Sequence, residues 1–559
     1  MKKITSYLKS VDKNFLIIFG LSLIILWPLV SCYYMRGHDS FYHYSNIFAL
    51  NSNIDFSSFK IFPDKILPII AYNFGWGEGI FYPSFPHYLA VYIYKVINAV
   101  GVTNIFTTMK ICHFIILFLS GLFMYFLTCK IFNNKTAGLI AAIIYMTFPY
   151  HYIDIFVRDA FSECFMFVFV PIVFLGLEYL FENSYKKFYI FFVIGYVGAI
   201  FSHLVLSIYL TLFVLIYLFL NYKKLFKKNI IKSLIFSGIF IILMILPFIG
   251  PLFEHTVFEH YTVYIDGLMY TSKLIKMSAV SLMDYFSFER PLAWTGELVF
   301  TISFPALILL LVSLSKCFKF KKLDKVGKYF ICLLFTIVFM SPFFPWTKLP
   351  SFFCNIQFLW RLNLFLAFFI SICASSAVLF FNKKTNVFII FAMFISSIIM
   401  MWSFKPMVIL DMFDPSKIDI NKHGAASFQY IPAKSYEHLD YVKSRNENVI
   451  VSDREADISN MISKTPYMSF RIKTKGCTLE LPRYYFMGYK ITLNGKTIKY
   501  GKNENGFIEV KIKKSGNVVV NYSGGSIYYI SVFLSLFAII IFICYVLKIG
   551  GDRDEKDKL

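Results

Sequence analysis

The feature that most limits what this chain can become is a recurrence of apolar runs. They extend from Asn14–Cys32 to Ile527–Leu547, several of them near the roughly 20 residues that carry a helix across a bilayer and the shorter ones long enough where neighbours shield them. Between these two, cores fall near Ile111–Leu127, Ala137–Phe148, Cys164–Tyr179, Phe188–Phe201, Leu204–Phe219, Leu234–Gly250, Leu298–Leu314, Tyr329–Met340, Leu362–Phe381 and Val387–Trp402. Hydrocarbon offers no water to backbone amides, so such runs satisfy them internally, as helices. The expected fold class is an all-α polytopic membrane protein of about twelve transmembrane helices.

Short basic links set the orientation. Lys223, Lys224, Lys227, Lys228, Lys316, Lys319, Lys321, Lys322, Lys383 and Lys384 sit between apolar runs, and basic loops stay cytoplasmic. Tyr88–Val100 decides the parity. Counted as a span, it puts basic links outside; read as an interfacial or re-entrant helix, it keeps every basic link inside, with both termini cytoplasmic. The formal charge of +22, in a chain 58% hydrophobic and 16% charged, therefore belongs to membrane topology, and no nucleic-acid partner is expected. The ten cysteines form no CxxC pair and mostly lie inside apolar runs, which supports neither a zinc site nor a disulfide scaffold. The basic start MKKITSYLKSVDK is read as the flank of an uncleaved first helix, although Leu29-Val30-Ser31-Cys32 has the form of a lipobox.

From about Lys405 to Asn521 the long apolar runs stop. Tyr489–Leu493, Phe507–Ile512 and Val518–Tyr522 alternate like strands, and Asn494-Gly495 between YKITL and KTIKY is a hairpin signal. The expected organisation is a transmembrane domain over 1–403 with a long first external loop at 33–110, a small extracytoplasmic mainly-β domain over 404–525, a final transmembrane helix over 526–548 and a charged, loose cytoplasmic tail over 549–559.

Against this apolar background, Met35–Asn46 (MRGHDSFYHYSN) packs Arg36, His38, Asp39 and His43 directly after the first helix. Polar groups at a bilayer edge are costly unless solvated, paired or used. A partly desolvated carboxylate there has raised proton affinity and suits general-base work, which makes Asp39 the candidate catalytic group. On a helix, Asp39 and His43 would share a face, fit to share a proton or a metal. The bland alternative is a polar loop capping a helix. A second cluster, Arg158-Asp159-Ala160-Phe161-Ser162-Glu163, is expected to face the first, with Asp159 and Glu163 four apart and on one face if helical. Those acids also fit simple partners of a helix dipole, and Arg158 fits either a phosphate or a structural pairing with Asp159 or Asp154. Arg361 follows Gln357 and Trp360 at a helix mouth, placed to bind a lipid phosphate or to snorkel to headgroups. His203, in an apolar context, reads as a core residue. Glu254-His255 and Glu259-His260 have the composition of metal ligands without a definite HExxH. No P-loop, dinucleotide fingerprint or GxSxG elbow is present.

Taken in order, these residues resemble the GT-C superfamily of polytopic glycosyltransferases: an acidic motif (GHDSFYH) in a long first external loop, a second (Arg158-Asp159…Glu163) opening a later one, and an external soluble domain before the last helix. More narrowly, GHDSFYH, FYPSFPHYL, YIDIFVRDAFSE and QFLWR resemble the bacterial membrane proteins labelled 6-pyruvoyl-tetrahydropterin synthase-related, and the plan is similar to the YfhO-like membrane proteins. Nothing in the chain resembles a soluble pterin enzyme. The resemblance implies an inverting transferase of the bacterial plasma membrane, serving cell-envelope glycan modification. Its donor would be a polyprenyl-phosphate-linked sugar drawn from the membrane lipid, and its acceptor a hydroxyl of a glycan or envelope polymer. Asp39, Asp159 and Glu163 would be catalytic. Asp39 would take the acceptor proton, while Asp159 and Glu163 position the acceptor or a divalent metal. His38, His43, Arg158, Arg361 and Gln357 would bind substrate, with Arg361 or Arg158 steadying the departing phosphate. The paired DxD-type motif of the oligosaccharyltransferase branch is absent, so a divalent metal is compatible with the sequence but not required by it. Two other functions fit the same residues: a transporter or flippase of lipid-linked glycan, in which the acids relay protons, and a non-catalytic envelope-assembly protein. The position of the acids at helix ends favours surface chemistry over translocation.

Overall fold

The computed structural model describes residues 12–30, 37–54, 65–68, 70–101, 104–262, 272–281, 283–286, 301–319, 325–350, 356–404 and 430–554. Met35, Arg36 and much of the stretch expected to open the β domain lie outside them.

The protein is mostly helical. Six helices are long and apolar enough to cross a membrane: Ile105–Phe132, Phe161–Phe181, Tyr185–Ser202, Lys228–Phe258, Leu359–Phe380 and Ser526–Ile549. The pair Lys135–Met146 and Pro149–Arg158, bent by 47°, makes a seventh if read as one broken span. Lys13–Ile25, Leu204–Leu220, Phe304–Ser315 and Val326–Met340 are shorter apolar helices. The residues expected as the ambiguous span form a 14-residue helix, Phe85–Asn98, below the length of a span. The final helix continues to Asp554, into the stretch expected to be a loose tail.

Burial separates these helices into two kinds. The apolar windows of Phe161–Phe181 and Leu359–Phe380 are 89% and 94% buried, whereas that of Ser526–Ile549 is 28% buried and leaves Phe533, Leu536 and Ile540 on the outside. Exposed apolar side chains on a long helix are what lipid solvates. The two enclosed helices therefore form the centre of the bundle, and each carries a charged residue at its start, Glu163 on one and Arg361 on the other.

The C-terminal domain is two antiparallel sheets. Its strands are β1 (Val451–Ser452), β2 (Asp457–Lys464), β3 (Tyr467–Lys473), β4 (Cys477–Tyr484), β5 (Tyr489–Leu493), β6 (Lys496–Ile498), β7 (Tyr500–Lys502), β8 (Phe507–Ile512) and β9 (Gly516–Tyr522). They are ordered β1-β4-β8-β7 in one sheet and β2-β3-β9-β5-β6 in the other. Alternate residues such as Met468, Phe470 and Ile472 on β3, or Val518 and Val520 on β9, face the core. The Asn494-Gly495 hairpin joins β5 to β6 with Leu493 opposite Lys496, and both turn residues have positive φ (51° and 79°), as a two-residue primed turn requires. Strands β1 to β4 were not among the runs singled out from the sequence. β2 has no buried residue to mark a core face, β3 alternates as a strand should, and β4 ends in a wholly buried stretch instead of alternating.

This domain sits on the stretch 74–77, part of the segment expected from the sequence to be the first external loop. Tyr484 N–H donates to the Phe74 carbonyl at 2.9 Å, and the Phe74 ring packs edge-on against Tyr484 and Phe507 at 5.6 and 5.1 Å. Gly77 N–H donates to the Tyr430 carbonyl at 3.3 Å. The loop beneath thereby acquires a fixed course, and Glu78 begins its next helical turn, Glu78–Phe81.

Candidate active site

The site is built where several helices begin or end. Phe148-Pro149 breaks the helix after Met146, because proline has no N–H to continue the ladder. The chain then makes a π-helical turn, Ile153–Arg158, and Asp159 closes it in the left-handed conformation (φ 50°). Such π turns are rare and widen the helix, and Asp is among the residues that tolerate the left-handed region. The result is that Asp154, Arg158 and Glu163 converge.

Arg158 is the hub. Its Nη1 donates to Asp154 Oδ1 at 2.7 Å and to Glu163 Oε2 at 2.8 Å, and its Nη2 donates to Glu163 Oε1 at 2.9 Å and to Asp39 Oδ2 at 3.1 Å. The Trp360 ring lies under its guanidinium, 4.4 Å from the ring centre. Arg361, on the 3-10 turn Leu359–Leu362, donates from Nε to Glu163 Oε1 at 2.7 Å and from Nη1 to the Gln357 side-chain carbonyl. Tyr150 donates to Glu163 Oε2 at 3.3 Å, and His203 Nε2 stands 3.6 Å from Oε1. His203 Nδ1 accepts from the Leu206 N–H at 3.2 Å, so a neutral ring carries its proton on Nε2, toward Glu163.

Asp39 is the opening in this cluster. Its side chain is 41% exposed, against 0% for Asp154 and 3% for Glu163. The backbone fixes it there: Asp39 N–H donates to the Arg158 carbonyl at 2.8 Å and His38 N–H to the Val157 carbonyl at 3.2 Å. Gly37 makes this approach possible, since a Cβ on it would stand 2.5 Å from the Arg158 carbonyl carbon. Desolvation raises the Asp39 pKa above the ordinary carboxylate value, aided by Glu163 and opposed by the Arg158 guanidinium; the exposed part of the side chain moderates the effect. The cluster sets three carboxyl groups (Asp39, Asp154, Glu163) against two guanidinium groups.

Several expectations are corrected here. Asp159 and Glu163 do not share a helix face: Asp159 lies outside the helix and turns to other partners. It accepts from Ser40 Oγ at 2.7 Å and lies 3.1 Å from His113 Nε2. Nor is His43 bonded to the Asp39 carboxylate; its Nδ1 lies 2.8 Å from His87 Nε2, and its link to Asp39 is the backbone bond of a helical turn. Arg158 has both terminal nitrogens occupied by carboxylates, so it is a scaffold and not an open phosphate binder. His38 is exposed beside Asp39, while Gln357 and Arg361 are brought together. Glu254, His255, Glu259 and His260 make no metal set. Among the described residues no three His, Cys, Asp or Glu side chains are placed to hold a metal ion. The carboxylates that a divalent ion would need at the main cluster are already bonded to arginine.

Sequence reading had Asp154 as an alternative structural partner of Arg158, and missed Tyr150, His113, Glu78 and His87 as members of the site. Their available signal was cost: a buried ionisable group in an apolar stretch, such as His113 within KICHFII, must have a partner.

No protein-family model matches this chain, and no curated protein matches it.

Proposed function

We propose that the protein is a membrane-embedded glycosyltransferase that moves a sugar from a polyprenyl-phosphate donor to an acceptor hydroxyl at the outer face of a bacterial plasma membrane, within the GT-C-like twelve-span plan expected from the sequence. The carrying observation is the half-open Asp39 carboxylate, held at 3.1 Å by an otherwise buried Arg158 that also grips Asp154 and Glu163. A base with raised proton affinity that meets the surface at one point is what removal of a hydroxyl proton calls for.

Asp39 accepts the acceptor proton as the hydroxyl oxygen bonds to the sugar's anomeric carbon. The bond from that carbon to the phosphate oxygen breaks, and the prenyl phosphate leaves with the electron pair. Arg361, with Gln357 at the rim, steadies the departing phosphate, and Arg158 holds Asp39 and Glu163 in register. An apolar groove lined by Phe85, Leu89, Ile93, Ile116, Phe165 and Phe169 supports a lipid-linked donor. Its Phe165 packs at 5.4 Å against Phe161, whose ring meets His113, the partner of Asp159, at 5.6 Å.

The test is turnover of a panel of polyprenyl-phosphate sugars by the purified protein and by Asp39→Asn. Release of prenyl phosphate by the wild type, lost in the variant, supports the transferase. Binding of lipid-linked glycan with no turnover of any donor moves the reading to transport or envelope assembly.

A further inference from the structure

Beside the arginine cluster lies a separate chain of buried groups. Ser84 Oγ donates to Glu78 Oε2 at 2.8 Å; Glu78 Oε1 faces His87 Nδ1 at 3.3 Å; and His87 Nε2 lies 2.8 Å from His43 Nδ1. All three titratable side chains are buried. Neither Glu78 Oε1 nor His87 Nδ1 has a hydrogen-bond partner among the described residues, so their 3.3 Å approach is the polar contact left to both. The His87 ring is held between Tyr82 and Phe161, stacked at 6.1 and 6.4 Å, so it cannot turn its nitrogens elsewhere. His43 occupies the first turn of Ser40–Asn53, its N–H donating to the Asp39 carbonyl at 3.1 Å.

Tautomer logic runs inward from the carboxylate. An ionised Glu78 only accepts, so the His87 proton must be on Nδ1. A neutral His87 then has a bare Nε2, which must receive a proton from His43 Nδ1. That leaves His43 Nε2 without a proton. Lys65, whose Nζ donates to the Gly79 carbonyl at 3.1 Å, sits within electrostatic reach of Glu78; burial brings this lysine down to about 8. The other groups bearing on Glu78 and His43 are Tyr42, His113, Arg158 and Glu163.

We infer that Glu78, His87 and His43 form a proton relay that leaves His43 Nε2 as a neutral proton acceptor, one helical turn along the chain from Asp39, with Glu78 and His87 as its positioning residues. A proton arriving at His43 Nε2 displaces the Nδ1 proton to His87 Nε2, and the His87 Nδ1 proton passes to Glu78 Oε1. Glu78 ends as a neutral acid and both rings remain neutral. This matters because burial, reinforced by His87 and His113, holds the His43 pKa well below the usual imidazole range, so a lasting imidazolium at His43 is disfavoured. The tautomer assignment follows from an ionised Glu78 facing a neutral His87 and is independent of the transferase reading; the relay's use in turnover rests on that reading.

The experiment is nitrogen NMR of the full-length protein labelled with [15N]histidine in lipid nanodiscs, with signals assigned through His43→Gln and His87→Gln. In the wild type both rings should be protonated on Nδ1. In Glu78→Gln, where Ser84 holds the carboxamide oxygen and its N–H faces His87, both rings should switch to Nε2 protonation. The His151 signal, whose Nδ1 lies 3.2 Å from the Tyr145 carbonyl, should stay unchanged and reports that the variant is folded. Nε2 protonation of His43 in the wild type, or a Glu78→Gln spectrum identical to it with His151 intact, overturns the relay. If the transferase is active, Glu78→Gln should slow turnover by roughly 10²-fold and shift its pH profile. The expected tautomers together with a silent donor panel would uphold the hydrogen-bonded chain and sink the transferase reading.

Discussion

Glu163 and Glu178 lie on the same enclosed helix, Phe161–Phe181, about 22 Å apart along its axis, and they are held in opposite ways. Glu163 is satisfied by cations: both guanidinium groups grip it, and a tyrosine completes its shell. Glu178 is satisfied by neutral donors, the hydroxyls of Tyr217 and Tyr329, the latter at 2.8 Å, and among the described residues no cation pairs with it. Both are buried. Phenol hydroxyls close a carboxylate off. Guanidinium groups bring their own charges, which recruit further carboxylates, and the last of these, Asp39, reaches the surface. The first arrangement fastens helices together; the second builds a place where charge can change.

Removing the hub should separate the two ends most strongly. Arg158→Met strands Asp154 and Glu163 in a buried site and should cost about 3–5 kcal/mol, read as a large drop in thermal unfolding temperature in detergent. Gly37→Ala comes next. The added methyl meets the Arg158 backbone, so about 1–3 kcal/mol should be lost, together with turnover, because Asp39 is pushed from its position. Glu178→Gln keeps an acceptor for both tyrosines and should cost about 1 kcal/mol or less, with turnover unchanged. A large loss there would mean that the neutral clamp depends on charge after all.

Asp39→Asn should change stability least and turnover most. The folded state raises the Asp39 pKa, so it binds this proton more tightly than the unfolded chain does. That contribution to stability is fully present below the ordinary carboxylate value and is lost as pH rises through the raised one. Unfolding temperature across this acid window should therefore fall more steeply with pH in the wild type than in Asp39→Asn. The acid limb of turnover should likewise sit above the ordinary carboxylate range, since only ionised Asp39 accepts a proton.

Much of the fold was legible. Apolar runs announced the six long helices because burying a backbone in hydrocarbon leaves helix as the solution, and Asn494-Gly495 announced its hairpin because both positions need positive φ. The short apolar helices were less legible, since composition does not say whether Leu204–Leu220 or Val326–Met340 crosses or packs beneath. Within the site, the sequence singled out Asp39, Arg158, Glu163, Gln357 and Arg361, which the structure draws together. It could not foresee that Asp159 faces away, because that follows from one left-handed residue after a π turn.

What the sequence determined by itself was the solvent of each segment and the residues too costly to be idle there, because the price of an ionisable group in an apolar setting is a local property. Which carboxylate stays open was decided only by tertiary structure. Asp39, Asp154, Asp159 and Glu163 are chemically alike along the chain. Their exposure and partners depend on how helix ends distant in sequence meet around Arg158, and on Gly37 letting one backbone rest against another.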